Sequence, residues 1–204
     1  METILLENRK IPCRKVRRKV RSARLEIENG ILTVILPMRF TGERELIERH
    51  KKWITKQAAR YGEIRELAET LELRKDMDEE KFRKISEQKI NLFCRELGVG
   101  VDKITFRKLK SRWGSCSTDG KITVNTLLRF LPDRLIDYIL FHEVAHRVVK
   151  GHNRKFYGII EGRLGNRKAM EKELAAYWHI FQKDKFPSTL RREGQGKEAK
   201  GNSS

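Results

Sequence analysis

Pro132-Asp133-Arg134-Leu135-Ile136-Asp137-Tyr138-Ile139-Leu140-Phe141-His142-Glu143-Val144-Ala145-His146 reads as an apolar helix that opens at Pro132-Asp133 and runs on through Val149. His142 and His146 stand four residues apart, so both imidazoles project from one helical face and can grip one metal ion. Glu143 follows the first histidine, where its carboxylate reaches a water on the metal rather than the metal itself. The chemistry this pattern points to is attack of an activated water on a carbonyl, with one Zn²⁺ per chain. Two surface histidines on an ordinary helix would give the same letters. Against that, Ile139, Leu140, Phe141, Val144, Ala145, Val148 and Val149 surround them, and burying unpartnered polar groups is costly.

A catalytic zinc takes three protein ligands. Three of the five histidines of the chain fall between 142 and 152, which points to His152 as the third. Six residues beyond His146 it is off the shared face of a straight helix, but Gly151 lets the chain turn and Asn153 can cap the next helix. Glu161, eighteen residues after Glu143, is the alternative third ligand. His50 and His179 read as helix-surface or core residues, Cys116 as a packing residue more than a ligand, and Lys121–Leu128 as a strand able to lie along a substrate.

Outward from this centre, Leu25 and Ile27 alternate with glutamates, Asn29-Gly30 is a type I′ turn signal, and Ile31 to Leu36 returns as a strand stopped by Pro37. Ile4–Glu7 and Ile11–Lys19 supply further strands, giving an N-terminal antiparallel sheet. Thr41 can cap a helix carrying Leu46, Ile47, Trp53 and Ile54. A second helix spans Glu79 to Leu97, with Gly98 as its stop. Strands follow around Ile104 and Phe106, and again over Ile122 to Leu127 beyond a Thr118-Asp119-Gly120 turn. Helices then open at Pro132-Asp133, at Asn153 and near Arg167, and residues 187–204 read as a disordered tail.

The chain has 204 residues, 38% apolar and 36% charged, so a modest core lies under a heavily solvated surface. Its longest mostly apolar run, Ile31 to Met38, is far short of the ~20 residues of a membrane span. A net charge of +18 favours an anionic partner. Nine basic residues and no acid lie between Arg9 and Arg24, a segment able to track nucleic-acid phosphates or to serve as a solvated, aggregation-resistant edge. The three cysteines, Cys13, Cys94 and Cys116, form no metal or disulfide spacing, which fits a reducing, cytoplasmic setting.

Five blocks in order resemble the YgjP-like metallopeptidase family, itself similar to the SprT-like zincins. They are Lys110 to Ser117, Gly120 to Asn125, Ile136-Asp137-Tyr138, His142 to His146, and His152 to Tyr157. The likeness extends over roughly residues 10–182. It implies a metal-dependent peptidase with His142, His146 and His152 as ligands and Glu143 as catalytic base, and leaves the role of the Arg112–Ser117 block open. The expected architecture is α+β: an N-terminal antiparallel sheet and helical connector over 1–100, a zincin-like core over 101–186, and the tail 187–204. The expected function is zinc-dependent peptide hydrolysis. The alternatives are a nucleic-acid-binding protein with a structural metal site, a SprT-like protease acting on DNA-associated proteins, and an amidohydrolase acting on a non-peptide bond.

Overall fold

Alternation and turn chemistry build the first part of the chain. The computed structural model describes residues 1–182; the tail expected at 187–204 lies outside them. The described chain forms two compact units, one made of Met1–Thr70 with Trp178–Gln182, the other of Leu71–Tyr177.

In the first unit, strands β1 (Glu2–Leu6), β2 (Arg9–Arg18), β3 (Arg24–Glu28) and β4 (Ile31–Pro37) form one sheet in the order β1-β2-β4-β3. The outer pairs are antiparallel, as expected, and the central pair β2/β4 is parallel, with Cys13 opposite Leu32. The Asn29-Gly30 turn has φ of 51° and 74°, as a type I′ hairpin requires. Glu7-Asn8 makes a second turn with both φ positive, 47° and 63°, without a glycine to announce it. Leu6, Ile11, Cys13, Leu32, Val34 and Leu36 line one face of the sheet and close on Ile54. That residue belongs to helix α2 (Lys51–Thr70), which follows α1 (Glu43–Arg49) after His50 alone. Gly42 rather than Thr41 takes the cap position of α1, with no side-chain cap bond.

In the second unit, α3 (Glu79–Leu97) begins where the Asp78 carboxylate accepts from the Lys81 N–H at 2.7 Å and ends at Gly98, whose φ of 63° is left-handed. β5 (Lys103–Arg107), β6 (Gly114–Cys116) and β7 (Lys121–Asn125) form a sheet in the order β5-β7-β6, parallel between β5 and β7 and antiparallel between β6 and β7. The chain then tightens into a 3₁₀ helix, Thr126–Phe130, so Leu127 lies beyond the strand the sequence extended to it. Helices α4 (Asp133–Ala145), α5 (Arg154–Leu164) and α6 (Arg167–Gln182) complete the described chain. Grouped by sequence with the N-terminal region, α3 instead sits in this unit, where Phe93 meets Phe141 of α4 edge-on at 5.4 Å and Phe82 meets Phe106 of β5 at 5.9 Å. Nine of the thirteen residues of α4 are buried, Glu143 among them, so this helix is the axis of the unit.

The two caps of α3 are separable contributions. Asp78→Ala and Gly98→Ala should each lower stability in urea by about 1 kcal/mol, the first by removing a cap bond and the second by forcing a side chain into left-handed backbone.

Candidate metal centre

The apolar helix α4 ends earlier than its sequence predicts. It stops at Ala145 with His146 as the cap, not at Val149. The last turn tightens: Arg147 N–H donates to Val144 O at 2.9 Å and Val148 N–H to Ala145 O at 3.0 Å. The His146 imidazole then bonds through Nδ1 to Val149 O at 3.2 Å. Such a bond fixes the tautomer and leaves Nε2 free as a lone-pair donor. Gly151 does not stop the helix, and a Cβ there would meet nothing within 4 Å. Asn153 caps α5 as expected, accepting from Phe156 N–H at 3.0 Å, and this places His152 at the corner between the two helices.

The result brings the three histidines together. One ligand nitrogen from each of His142, His146 and His152 lies within 4.8 Å of the others. Nε2 of His142 and Nε2 of His152 are 3.0 Å apart. Phe156 floors the group, with its ring 4.5 to 4.9 Å from each imidazole. Burial, then the neighbouring His146 and His152, depresses the His142 pKa to about 3, and burial lowers that of His146. Neutral imidazoles are the metal-binding form. The buried Nδ1 of His142 has no hydrogen-bond partner among the described residues. A nitrogen-only, convergent donor set of this kind fits a tetrahedral divalent metal with an open fourth position. Glu161 takes no part in it: its carboxylate pairs with Arg167 at 3.1 Å. Cys116 also lies outside the cluster.

Glu143 is 6% exposed, and burial raises its pKa to about 7 against the opposing Arg112 cation and the Cys116 backbone N–H. The element beside it is β6, the strand of the Arg112–Ser117 block, which pairs with β7 as a hairpin. β7 is hydrogen-bonded on both sides, which leaves β6 at the sheet edge. A Cβ on Gly114 of β6 would stand 2.8 Å from Glu143 Cγ and Oε1. The glycine is there because the strand backbone runs directly over the carboxylate. The Arg112–Ser117 block thus has a physical role: it covers the Glu143 carboxyl and donates a backbone bond to it. Sequence reading passed over Gly114, although a glycine inside a strand is a recognised sign of close backbone approach.

Residues 65–177 match the family described as YgjP-like, metallopeptidase domain. The chain belongs to the YgjP-like metallopeptidase family. Among solved structures it is similar to the metallopeptidase zymogen jannalysin of Methanocaldococcus jannaschii, at 22% identity and a TM-score of 0.40, covering 48% of this chain and 95% of that one. It is likewise similar to the metallopeptidase zymogen abylysin of Pyrococcus abyssi, at 25% identity and a TM-score of 0.40, covering 49% and 95%. No curated protein matches. Membership of the YgjP-like family makes this chain a metal-dependent peptidase with protein or peptide as its substrate class. The family match begins near the end of α2 and ends at Tyr177, where the second compact unit also ends. Among the described residues, no helix is long and apolar enough to cross a membrane.

Crowding at Gly114 is directly testable. Gly114→Ala should destabilise the protein by about 1–3 kcal/mol, the usual range for overpacking. Gly151→Ala, in open space, should cost less than about 1 kcal/mol in the same denaturation assay.

Proposed function

We propose that this protein is a zinc peptidase in which His142, His146 and His152 hold one Zn²⁺ and Glu143 is the general base. The observation that carries the reading is the convergence of three imidazole nitrogens within 4.8 Å beside a buried carboxylate. A structural site needs ligands only; it has no use for a shielded carboxylate next to the first histidine. Zinc, when bound, supplies Lewis acidity that brings the pKa of water toward ~7 and polarises a carbonyl. Glu143 takes a proton from the attacking water and passes it to the leaving amine. Its low solvent exposure suits that exchange, since a carboxyl titrating near 7 gives up a proton as readily as it takes one. The Cys116 N–H keeps the carboxylate in place, and the hydrogen bond from His146 to Val149 O orients that ring. As the sheet edge beside Glu143, β6 is the strand along which an extended peptide would pair. Three free thiols, with Cys13 and Cys94 buried, favour a reducing compartment such as the cytoplasm.

Purified protein should carry one zinc per chain by elemental measurement. His142→Ala, His146→Ala and His152→Ala should each remove most of it, and Glu161→Ala should not. Glu143→Gln should fold, keep its zinc and lose about 10²–10⁴-fold in peptide hydrolysis. Loss of the metal in Glu143→Gln would make the carboxylate a ligand instead.

Nucleic-acid contact by the segment 9–24 is a second reading, favoured by one observation. Lys10, Arg14 and Arg18 alternate onto the face of β2 opposite its core residues Ile11 and Cys13, and none has an ion pair among the described residues. Lys15 and Arg17 are spent otherwise, on Glu2 and Glu43 and on the carbonyls of Pro37, Met38 and Phe40. Replacing Lys10, Arg14 and Arg18 by Ser should lower the slope of log affinity against log salt for single-stranded DNA by about 2. Absence of wild-type binding at low salt would leave the strand as a charged, aggregation-resistant surface.

A further inference from the structure

The loop that leads into β6 is basic and unusually well fixed. Residues 107–112 carry Arg107, Lys108, Lys110 and Arg112, and no acid. Asn125, fully buried at the end of β7, clamps this loop. Its Nδ2 donates to Leu109 O at 3.1 Å and to Arg112 O at 2.8 Å, and its backbone N–H donates to Trp113 O at 2.9 Å. Its Oδ1 accepts from Leu127 N–H at 3.1 Å, so every polar atom of the side chain is engaged. The bond from Asn125 to Trp113 carries the β6/β7 ladder one residue past Gly114. Arg112 therefore stands two positions before Gly114, the residue whose backbone lies against Glu143. Its field is the one from a charged side chain that acts on Glu143.

Arg112 is also uncommitted. Arg74, Arg134, Arg163 and Arg167 of the same unit are each paired with carboxylates. Among the described residues Arg112 has no ion pair and no side-chain hydrogen bond, and it is exposed. Glu143 is buried, and Arg112 acts on it through its field without forming an ion pair. A guanidinium presents a planar fork that matches a carboxylate with two parallel bonds. Holding it on a clamped loop limits the entropy lost when such a bond forms.

We propose that Arg112 is the substrate-recognition residue of this site and binds a peptide carboxylate held beside the scissile bond. That carboxylate is an acidic side chain or the C-terminus of a short peptide; both offer the guanidinium the same two oxygens. The inference rests on the peptidase reading of the same site and adds its selectivity: peptides with a negative charge near the cleaved bond are preferred. The electropositive loop around Arg112 draws such peptides in, and the +18 charge of the chain acts in the same sense at longer range.

Binding and turnover test this separately. The probes are blocked alanine-rich octapeptides with one glutamate moved through each position, their glutamine counterparts, and one unblocked peptide with a free or amidated C-terminus. Binding is measured on the Glu143→Gln protein, and cleavage on proteins that retain Glu143. One glutamate position, or the free C-terminus, should bind about tenfold or more tightly than its neutral counterpart. Arg112→Ala should abolish the difference, and Arg112→Lys should keep part of it. In cleavage, Arg112→Ala should raise KM for the charged peptide until it equals that for the neutral one, whatever common change in kcat follows from loss of the cation near Glu143. A gain confined to one glutamate position identifies an acidic side chain, and a gain confined to the free acid identifies the C-terminus. Equal binding of charged and neutral peptides by the Arg112-containing protein overturns the proposal, as does selectivity that survives in Arg112→Ala. So does a fall in kcat equal for all peptides with no change in KM for the charged one, which would mean that Arg112 acts through Glu143 alone. Arg112→Gln serves if the alanine variant does not fold. Charge-selective binding with no cleavage of any peptide would count against the peptidase reading and not against this one.

Discussion

Everything in the second unit answers to one constraint: Glu143 and two histidines lie on a helix that is otherwise core. Moving the Glu143 pKa from 4.5 to about 7 corresponds to about 3 kcal/mol against its ionised form. That is a substantial part of the ~5–15 kcal/mol by which a domain is stable. The surroundings limit the penalty without abolishing it. A backbone N–H from β6 reaches the carboxylate, a cation stands nearby, and a glycine lets the strand approach. A side chain kept this dry has a proton affinity close to the working pH, the property a general base requires.

The rest of the unit secures that arrangement. α3 braces α4 through Phe93 on Phe141, and the Arg163 guanidinium covers the same two rings at 4.6 and 5.1 Å while its charge is held by Glu96. Tyr138, one turn before His142, donates its hydroxyl to Glu171 of α6 at 3.2 Å. Glu171 is in turn held by Arg167, which lies over the Tyr157 ring at 4.0 Å. Tyr157 stacks on His152 at 6.0 Å. A chain of aromatic and ionic contacts thus runs from the three clustered histidines through α5 to α6. Fixing ligand rings from behind in this way is what gives a metal site its geometry.

The strand beside Glu143 shows how a sheet edge can shape the surroundings of a buried carboxylate. β7 is the buried centre of its sheet and β6 is short, so the open hydrogen-bonding edge falls next to α4. The same strand then has several duties. It shields Glu143, stands at the edge of its sheet and, through the clamped loop before it, carries Arg112. Asn125 joins these duties to the core, because one buried amide holds the loop and caps the 3₁₀ helix that leads to α4.

Much of this was legible from sequence because it depends on local rules. The four-residue spacing of His142 and His146, the Glu79 start and Gly98 stop of α3, the Asn153 cap and the Asn29-Gly30 turn are each set within a few residues. Capping and turn geometry are local, and the structure reproduces them. What only the tertiary structure decided involves partners distant in sequence. The parallel pairing of β2 with β4 follows from a hairpin folding back into the middle of its sheet, which no alternation pattern encodes. The end of α4 at Ala145 follows from the tightened turn and the reach of His146 to the Val149 carbonyl, where propensity alone runs the helix on. The choice of β6 over β7 beside Glu143 depends on strand order, and the meaning of Gly114 depends on a side chain 29 residues away. Sequence named the histidines and the glutamate that the fold brings together; long-range packing determined which backbone surrounds them, because desolvation and close approach are properties of what comes together in space.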